Sequence, residues 1–217
     1  MKKIIVLIMA LALVFTLASC GKDKTDDEET KAPAQTEGTT EGTTEKNEET
    51  SADTEMDSAT AGDSVTVSIL TSAWNSYADD EKFPAMGGDY VVMADGVPGA
   101  YSIADAEALD SALGFPTDRI GDIDEAASLQ HMMNANTFTG AAYRMVEGTD
   151  AAELAEAIKS NIMNRQWMCG FPETLVIIEA DGCLITAFGN GEIIETFKTK
   201  VMGANEGSEL LVEDAIA

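Results

Sequence analysis

The chain has 217 residues and carries 39 Asp and Glu against 13 Lys and Arg, a formal net charge of −26, with 3 Cys and a single His. Nucleic-acid affinity comes largely from basic side chains that displace counterions, so no nucleic-acid partner is expected for a chain this acidic. One His excludes any metal centre or catalytic relay that needs two imidazoles, and the absence of a P-loop or dinucleotide-type glycine pattern leaves no cofactor to expect.

Lys2 and Lys3 precede an apolar run from Ile4 to Leu17. These 14 residues are too few to cross a hydrocarbon core about 30 Å thick, which takes roughly 20. They have the length of a signal-peptide h-region. The run ends in Leu17-Ala18-Ser19-Cys20, which resembles the lipobox of bacterial prelipoproteins. The resemblance implies that residues 1–19 are a lipoprotein signal peptide and that Cys20 becomes the first residue of the mature chain. It also implies a diacylglyceryl group on the Cys20 thiol, with palmitate-like acyl chains. Two acyl chains, at about 0.8 kcal/mol per buried methylene, anchor stably where one would be marginal. The expected partner is therefore the lipid bilayer, and the expected location is the outer face of the cell membrane.

Residues 20–63 form the expected tether. From Gly21 to Asp63 there are 14 acidic residues and 4 Lys, a net of −10, with almost no large apolar residue, and Thr36-Glu37-Gly38-Thr39-Thr40-Glu41-Gly42 nearly repeats itself. Such a segment cannot bury enough apolar area to offset its chain entropy, which predicts disorder. As a coil its ends would lie roughly 35–40 Å apart, a spacer between lipid and domain.

The remainder holds 25 acidic and 7 basic residues, a net of −18, and is long enough for a good single core. Ile69/Leu70, Ala73/Trp74 and Tyr77 predict a helix over about 65–78, although Val65-Thr66-Val67-Ser68-Ile69 also alternates like a strand. Residues 79–101 read as loop with at most one short strand at Tyr90–Met93. Ser102 is expected to cap a helix ending at Leu113, with Gly114 beyond it and Pro116 as the stop. Ile123, Ala126, Ala127, Leu129 and Met133 share a helical arc and predict a helix to about Asn136. Phe138–Val146 reads as a strand. Asp150 starts a helix with the buried stripe Leu154, Ala155, Ile158 and Ile162. Thr174–Ala180, Asp181-Gly182 and Cys183–Gly189 read as a hairpin with a type I′ turn, and Asn190 caps a last helix. The expectation is an α+β fold: one domain over 64–203 with a small antiparallel sheet of about three to four strands and helices packed on one face. Residues 204–217 are expected to be a flexible tail.

Three stretches carry a further resemblance: Trp74-Asn75-Ser76-Tyr77 with Asp79-Asp80-Glu81-Lys82-Phe83, then Met132 to Phe138, then Asn164 to Pro172. Together they resemble small secreted lipoproteins of clostridia-like Gram-positive bacteria, over most of 65–203. That group has no assigned activity, so the resemblance implies compartment and domain extent and carries over no functional residues.

Cys169 and Cys183 invite a disulfide in an extracytoplasmic compartment. The expected hairpin argues against it, because Cys183 would sit at the turn and Cys169 near the open end, more than about 15 Å away. A sharp fold-back at Gly170-Phe171-Pro172 would rescue the bond; otherwise both are buried free thiols. A nucleophilic reading pairs Cys169 with His131, the one imidazole available as base, against the plain reading of a partly exposed helical His. His131-Met132-Met133 and Met168-Cys169 are soft ligands suited to Cu(I), but Met is more often core filler. Asp79-Asp80-Glu81 and Asp122 with Asp124-Glu125 offer carboxylates for Ca²⁺, yet neither matches an EF-hand loop, so no metal site is expected. Trp74, Tyr143, Trp167 and Phe171 would line a ligand groove or fill the core. The leading expectation is a monomeric, non-enzymatic binding or accessory module of the envelope, its partner an unknown ligand or envelope protein. A Cys169/His131 enzyme and a copper carrier are the alternatives.

Overall fold

The computed structural model describes residues 64–216. The expected signal peptide, Cys20 and the tether lie outside the described residues.

Ser64 opens the first helix, α1 (Val65–Asn75), its hydroxyl accepting the Val67 N–H. Three short strands follow, β1 (Ala85–Gly88), β2 (Met93–Asp95) and β3 (Gly99–Tyr101). Helix α2 (Ala106–Leu113) is capped three residues later than expected by Asp105, whose carboxylate accepts the Glu107 and Ala108 N–H groups, whereas the Ser102 hydroxyl accepts the Ala104 N–H in the turn before it. Strands β4 (Ile123–His131) and β5 (Phe138–Met145) lead into α3 (Ala151–Met163), then β6 (Thr174–Ala180), β7 (Cys183–Gly189), α4 (Gly191–Ala204) and β8 (Glu209–Ala215). Asp181 at φ 50° and Gly182 at φ 75° make the two-residue turn between β6 and β7, both left-handed as a type I′ turn requires.

The fold remains α+β, but the expected three- to four-stranded sheet is overturned. Among the described residues one antiparallel sheet contains eight strands, in the order β2-β1-β4-β5-β7-β6-β8, with β3 beside β4. Nor do the helices share one face. Val176, Ile178 and Ala180 of β6 pack into a core with α1 and α4, whereas Leu175 and Ile177 pack into a second core with α2 and α3. A sheet covered on both sides has central strands without a polar face. That explains the misreading of β4: Ala126, Ala127, Ser128 and Leu129 are all buried in succession, and such a run satisfies a helical arc as easily as a strand. The expected flexible tail is also corrected, since β8 pairs with β6 from Thr174↔Ala215 to Glu179↔Glu209. The 79–101 loop likewise contains three strands, and its apolar run Tyr90–Met93 is not a strand interior but the turn between β1 and β2 with the first residue of β2.

Candidate functional site

One end of the sheet gathers segments that are far apart in sequence. β4 ends there at His131, β5 begins at Phe138, β7 ends at Gly189 and α4 starts at Gly191. The connection between β4 and β5 crosses tightly over the end of β7: Asn190 donates its N–H to Thr137 O at 2.9 Å. A Cβ on Gly189, whose φ is 154°, would collide with that same carbonyl, so the crossing requires glycine.

The loop after α3 is fastened onto this crossing by two amides. Asn136 Nδ2 donates to Met168 O and to Gly170 O, each at 3.1 Å, and Asn134 Nδ2 donates to Cys169 O at 3.3 Å. Cys169 adopts φ 63°, a left-handed conformation costly for a side chain with a Cβ, next to Gly170 at φ 122°. The held loop exposes Met168 and Phe171 at 80% and 77%. Glu173 closes the arrangement, accepting the Gly191 N–H at 2.8 Å at the start of α4, where the helix dipole favours a carboxylate. Between these groups lies a cavity of about 220 Å³ walled by Asn134, Asn136, Gly170, Phe171, Glu173 and Asn190. With Thr137 also in the lining, its wall chemistry is three carboxamides, one carboxylate, one hydroxyl and one aromatic face.

A second cavity of about 170 Å³ lies on the other side of the α4 N-terminus, between Tyr77, Glu81, Phe83, Glu192, Ile193 and Thr196. Burial, and then the Glu81 charge, push the Tyr77 hydroxyl far above its ordinary pKa, and it has no hydrogen-bond partner among the described residues. Lys200 already serves both walls, pairing with Glu81 at 2.7 Å and lying 5.4 Å from the Tyr77 ring. A third opening, about 410 Å³, runs along Ser64, Ser68 and Ser72 to Asn205. Ser64 and Asn205 are occupied there with helix ends, Asn205 Nδ2 donating to Val201 O at 2.7 Å.

The expected aromatic groove is not assembled. Trp74 is buried in the α1/α4 core, its Nε1 donating to Gly96 O at 2.9 Å, and Tyr143 is buried in the opposite core, its hydroxyl donating to Leu113 O at 3.3 Å. Trp167 is half-buried on Phe188 with ring centres 5.3 Å apart, under the Arg165 guanidinium. Phe171 alone of the four lines a cavity among those described.

His131 is the last residue of β4, not a helical residue. Its ring stacks on Phe83 at 5.4 Å, and its Nδ1 accepts the Met133 N–H at 3.2 Å. That bond places the ring proton of a neutral imidazole on Nε2 and occupies the lone pair of Nδ1, the nitrogen that would act as base. No hydrogen bond joins it to Cys169 among the described residues. The two cysteines are free thiols at opposite ends of β7: Cys169 sits by the Gly189 end, whereas Cys183 is its first residue, about 20 Å along the strand. Cys169 is exposed, which corrects the expectation that both thiols are buried. Burial pushes the Cys183 thiol up to about 12, reinforced by Glu125.

The soft-ligand stretches do adjoin, through Asn134 and Asn136, although no grouping of His, Cys and carboxylates fit for a metal occurs among the described residues. Of the carboxylates considered for Ca²⁺, Glu81 pairs with Lys200 and Asp124 and Glu125 with Arg144, each at 2.6–2.7 Å, and Asp122 pairs with Arg119. Asp79 and Asp80 are exposed and make no ion pair among the described residues. Asn134, Asn136 and Glu173 escaped sequence reasoning, because their site partners are carbonyls and amides that the fold brings near, and Asn190 is legible in the sequence only as a helix cap. The sole prior signal was that two of the three resembling stretches meet here. No family model, no curated protein and no solved structure matches the chain.

Proposed function

We propose that the chain is a lipid-anchored, extracytoplasmic binding module of the cell envelope. Acyl groups on Cys20 hold it to the bilayer, and the Asn134–Phe171 end of the sheet receives the ligand. The anchor rests on Leu17-Ala18-Ser19-Cys20 behind a signal-length apolar run. The observation that carries the binding reading is the disposition of the two ends. Ser64, where the tether joins, donates its hydroxyl to Glu125 near the start of β4, whereas the cavity lies beyond the far end of that strand. The cavity therefore faces away from the point of attachment. Its Asn134 and Asn136 amides already hold the loop, so the Asn136 oxygen, the Thr137 hydroxyl and the exposed Phe171 ring are what it offers, which suits a ligand rich in hydroxyl or amide groups with one apolar face, such as a wall saccharide or a peptide.

Metabolic labelling with a fatty-acid analogue tests the anchor: the chain is labelled and its Cys20→Ala variant is not. A thermal-shift and NMR screen of wall fragments, peptides and small metabolites against the full chain tests the binding. Shifts clustered at Asn134–Thr137 and Met168–Glu173 are expected. Ligand shifts confined to the serine groove along α1 would reject this site.

A further inference from the structure

The turn between β1 and β2 presents four consecutive large apolar side chains to solvent: Tyr90, Val91, Val92 and Met93 are 85%, 80%, 68% and 62% exposed. Such a run on the surface of a chain this acidic is anomalous unless something covers it. The turn is also built to be covered. The Asp89 carboxylate accepts the N–H groups of Val91 and Val92 at 2.8 Å each, and that of Ser102 at 3.3 Å. No charged side chain lies from Tyr90 to Met93, although Asp89 and the exposed Asp95 flank the tip, and two of its amides are satisfied internally, which lowers the cost of entry into the interfacial region.

Its position indicates the occupant. Ser102 follows Tyr101, which pairs with Ala126 of β4, and the adjacent Glu125 holds Ser64 and Thr66. The apolar tip and the junction with the tether therefore share one end of the sheet, opposite the candidate ligand cavity. Two copies of a body with a net charge of −18 repel, which disfavours a second chain as the cover. We propose that the Tyr90–Met93 tip inserts into the interfacial region of the same bilayer that holds Cys20, fixing the domain with its ligand end outward. This rests on the anchoring reading, since acyl attachment keeps the tip at a high effective concentration near the lipid. The acidic body opposes approach to anionic headgroups, so insertion strengthens as salt screens that repulsion.

The test uses the full acylated chain carrying Val92→Trp, reconstituted in phosphatidylcholine vesicles with brominated acyl chains. The parent chain, whose Trp74 is buried and whose Trp167 lies at the other end, supplies the background. The added fluorescence is expected to shift to the blue and to be quenched by bromine. With phosphatidylglycerol included, quenching rises as salt is added, and Val91→Asp in the same chain abolishes it while the protein still sediments with vesicles. Sedimentation without quenching overturns the tip proposal and leaves the anchor standing. A blue shift that needs no lipid and grows with protein concentration also overturns it, in favour of a second copy. If the chain does not sediment, the anchor fails. The tip is then decided by the Cys20→Ser chain at millimolar lipid, where quenching upholds insertion and its absence overturns it.

Discussion

Glu125 and Arg144 face each other in register on β4 and β5, with Arg144 Nη1 2.6 Å from Glu125 Oε2. The other carboxylate oxygen of Glu125 accepts the Ser64 and Thr66 hydroxyls and the Thr66 amide, so one side chain ties the start of α1 to the sheet. Burial pushes this carboxyl up, but the hydrogen bonds from Ser64 and Thr66 and the charge of Arg144 outweigh it and hold the group below its ordinary range. A carboxylate depressed in the folded state stabilises the fold above its unfolded value, roughly 4.3, and that contribution is lost as pH falls through the folded value. Glu125→Gln is expected to cost about 2 kcal/mol at pH 7. The gap to the parent chain should begin to narrow below about pH 4 and close as the pH falls through the folded value. Urea unfolding at pH 7 and at pH 3.5 measures both; an unchanged gap would assign the effect to shape and not to charge.

The two free thiols should differ sharply in reactivity. Cys169 is exposed on a held loop, whereas Cys183 is buried and its thiol is pushed up to about 12, leaving almost no thiolate at neutral pH. Iodoacetamide at pH 7.5 is expected to modify Cys169 alone in the native chain and both residues in guanidinium, read by peptide mass mapping. A Cys169–Cys183 disulfide in that map would refute the arrangement of β7.

What the sequence reveals divides along the range of the interactions. The β6–β7 hairpin, α3 and α4 were legible because Asp181-Gly182, Asp150 and Asn190 are local signals that act within a few residues. β4 was not, because its identity as a strand depends on helices covering both faces, and Ile123, Ala126, Ala127 and Leu129 carry no record of that. The candidate site was legible only in outline. Cys169 and Phe171 stood out by residue type, but Asn136 acquires its role from carbonyls 32 and 34 positions away.

Asn136→Ala removes both of those hydrogen bonds. Asn136 lies near the surface, so the global cost should be small, about 1 kcal/mol or less. The local cost should be large. Amide exchange across Met168–Phe171 and alkylation of Cys169 are expected to quicken severalfold while the exchange of β5 and β7 stays unchanged. Equal acceleration in the strands would mean that Asn136 supports the whole fold and not the loop.

Ending the chain at Ser208 separates a structural last strand from a dispensable tail. β8 covers the outer edge of β6, with Val212 opposite Ile177 and only 8% exposed, and Leu210 and Leu211 packed against the two different cores. Two cross-links add to this, Lys198 to Glu213 at 2.8 Å and Lys159 to Asp214 at 2.9 Å, joining β8 to α4 and α3. Being partly exposed, these pairs contribute little beside the apolar burial. Removing four partly to largely buried aliphatic side chains, these three and Ile216, is expected to cost about 3–5 kcal/mol, a large share of the stability of a domain this size. It also turns β6, with Val176 and Ile177, into an unprotected edge that invites pairing between chains. The truncated protein should therefore unfold at a lower urea concentration and form oligomers visible by light scattering, whereas a midpoint equal to that of the full chain would return residues 209–215 to the status of a tail.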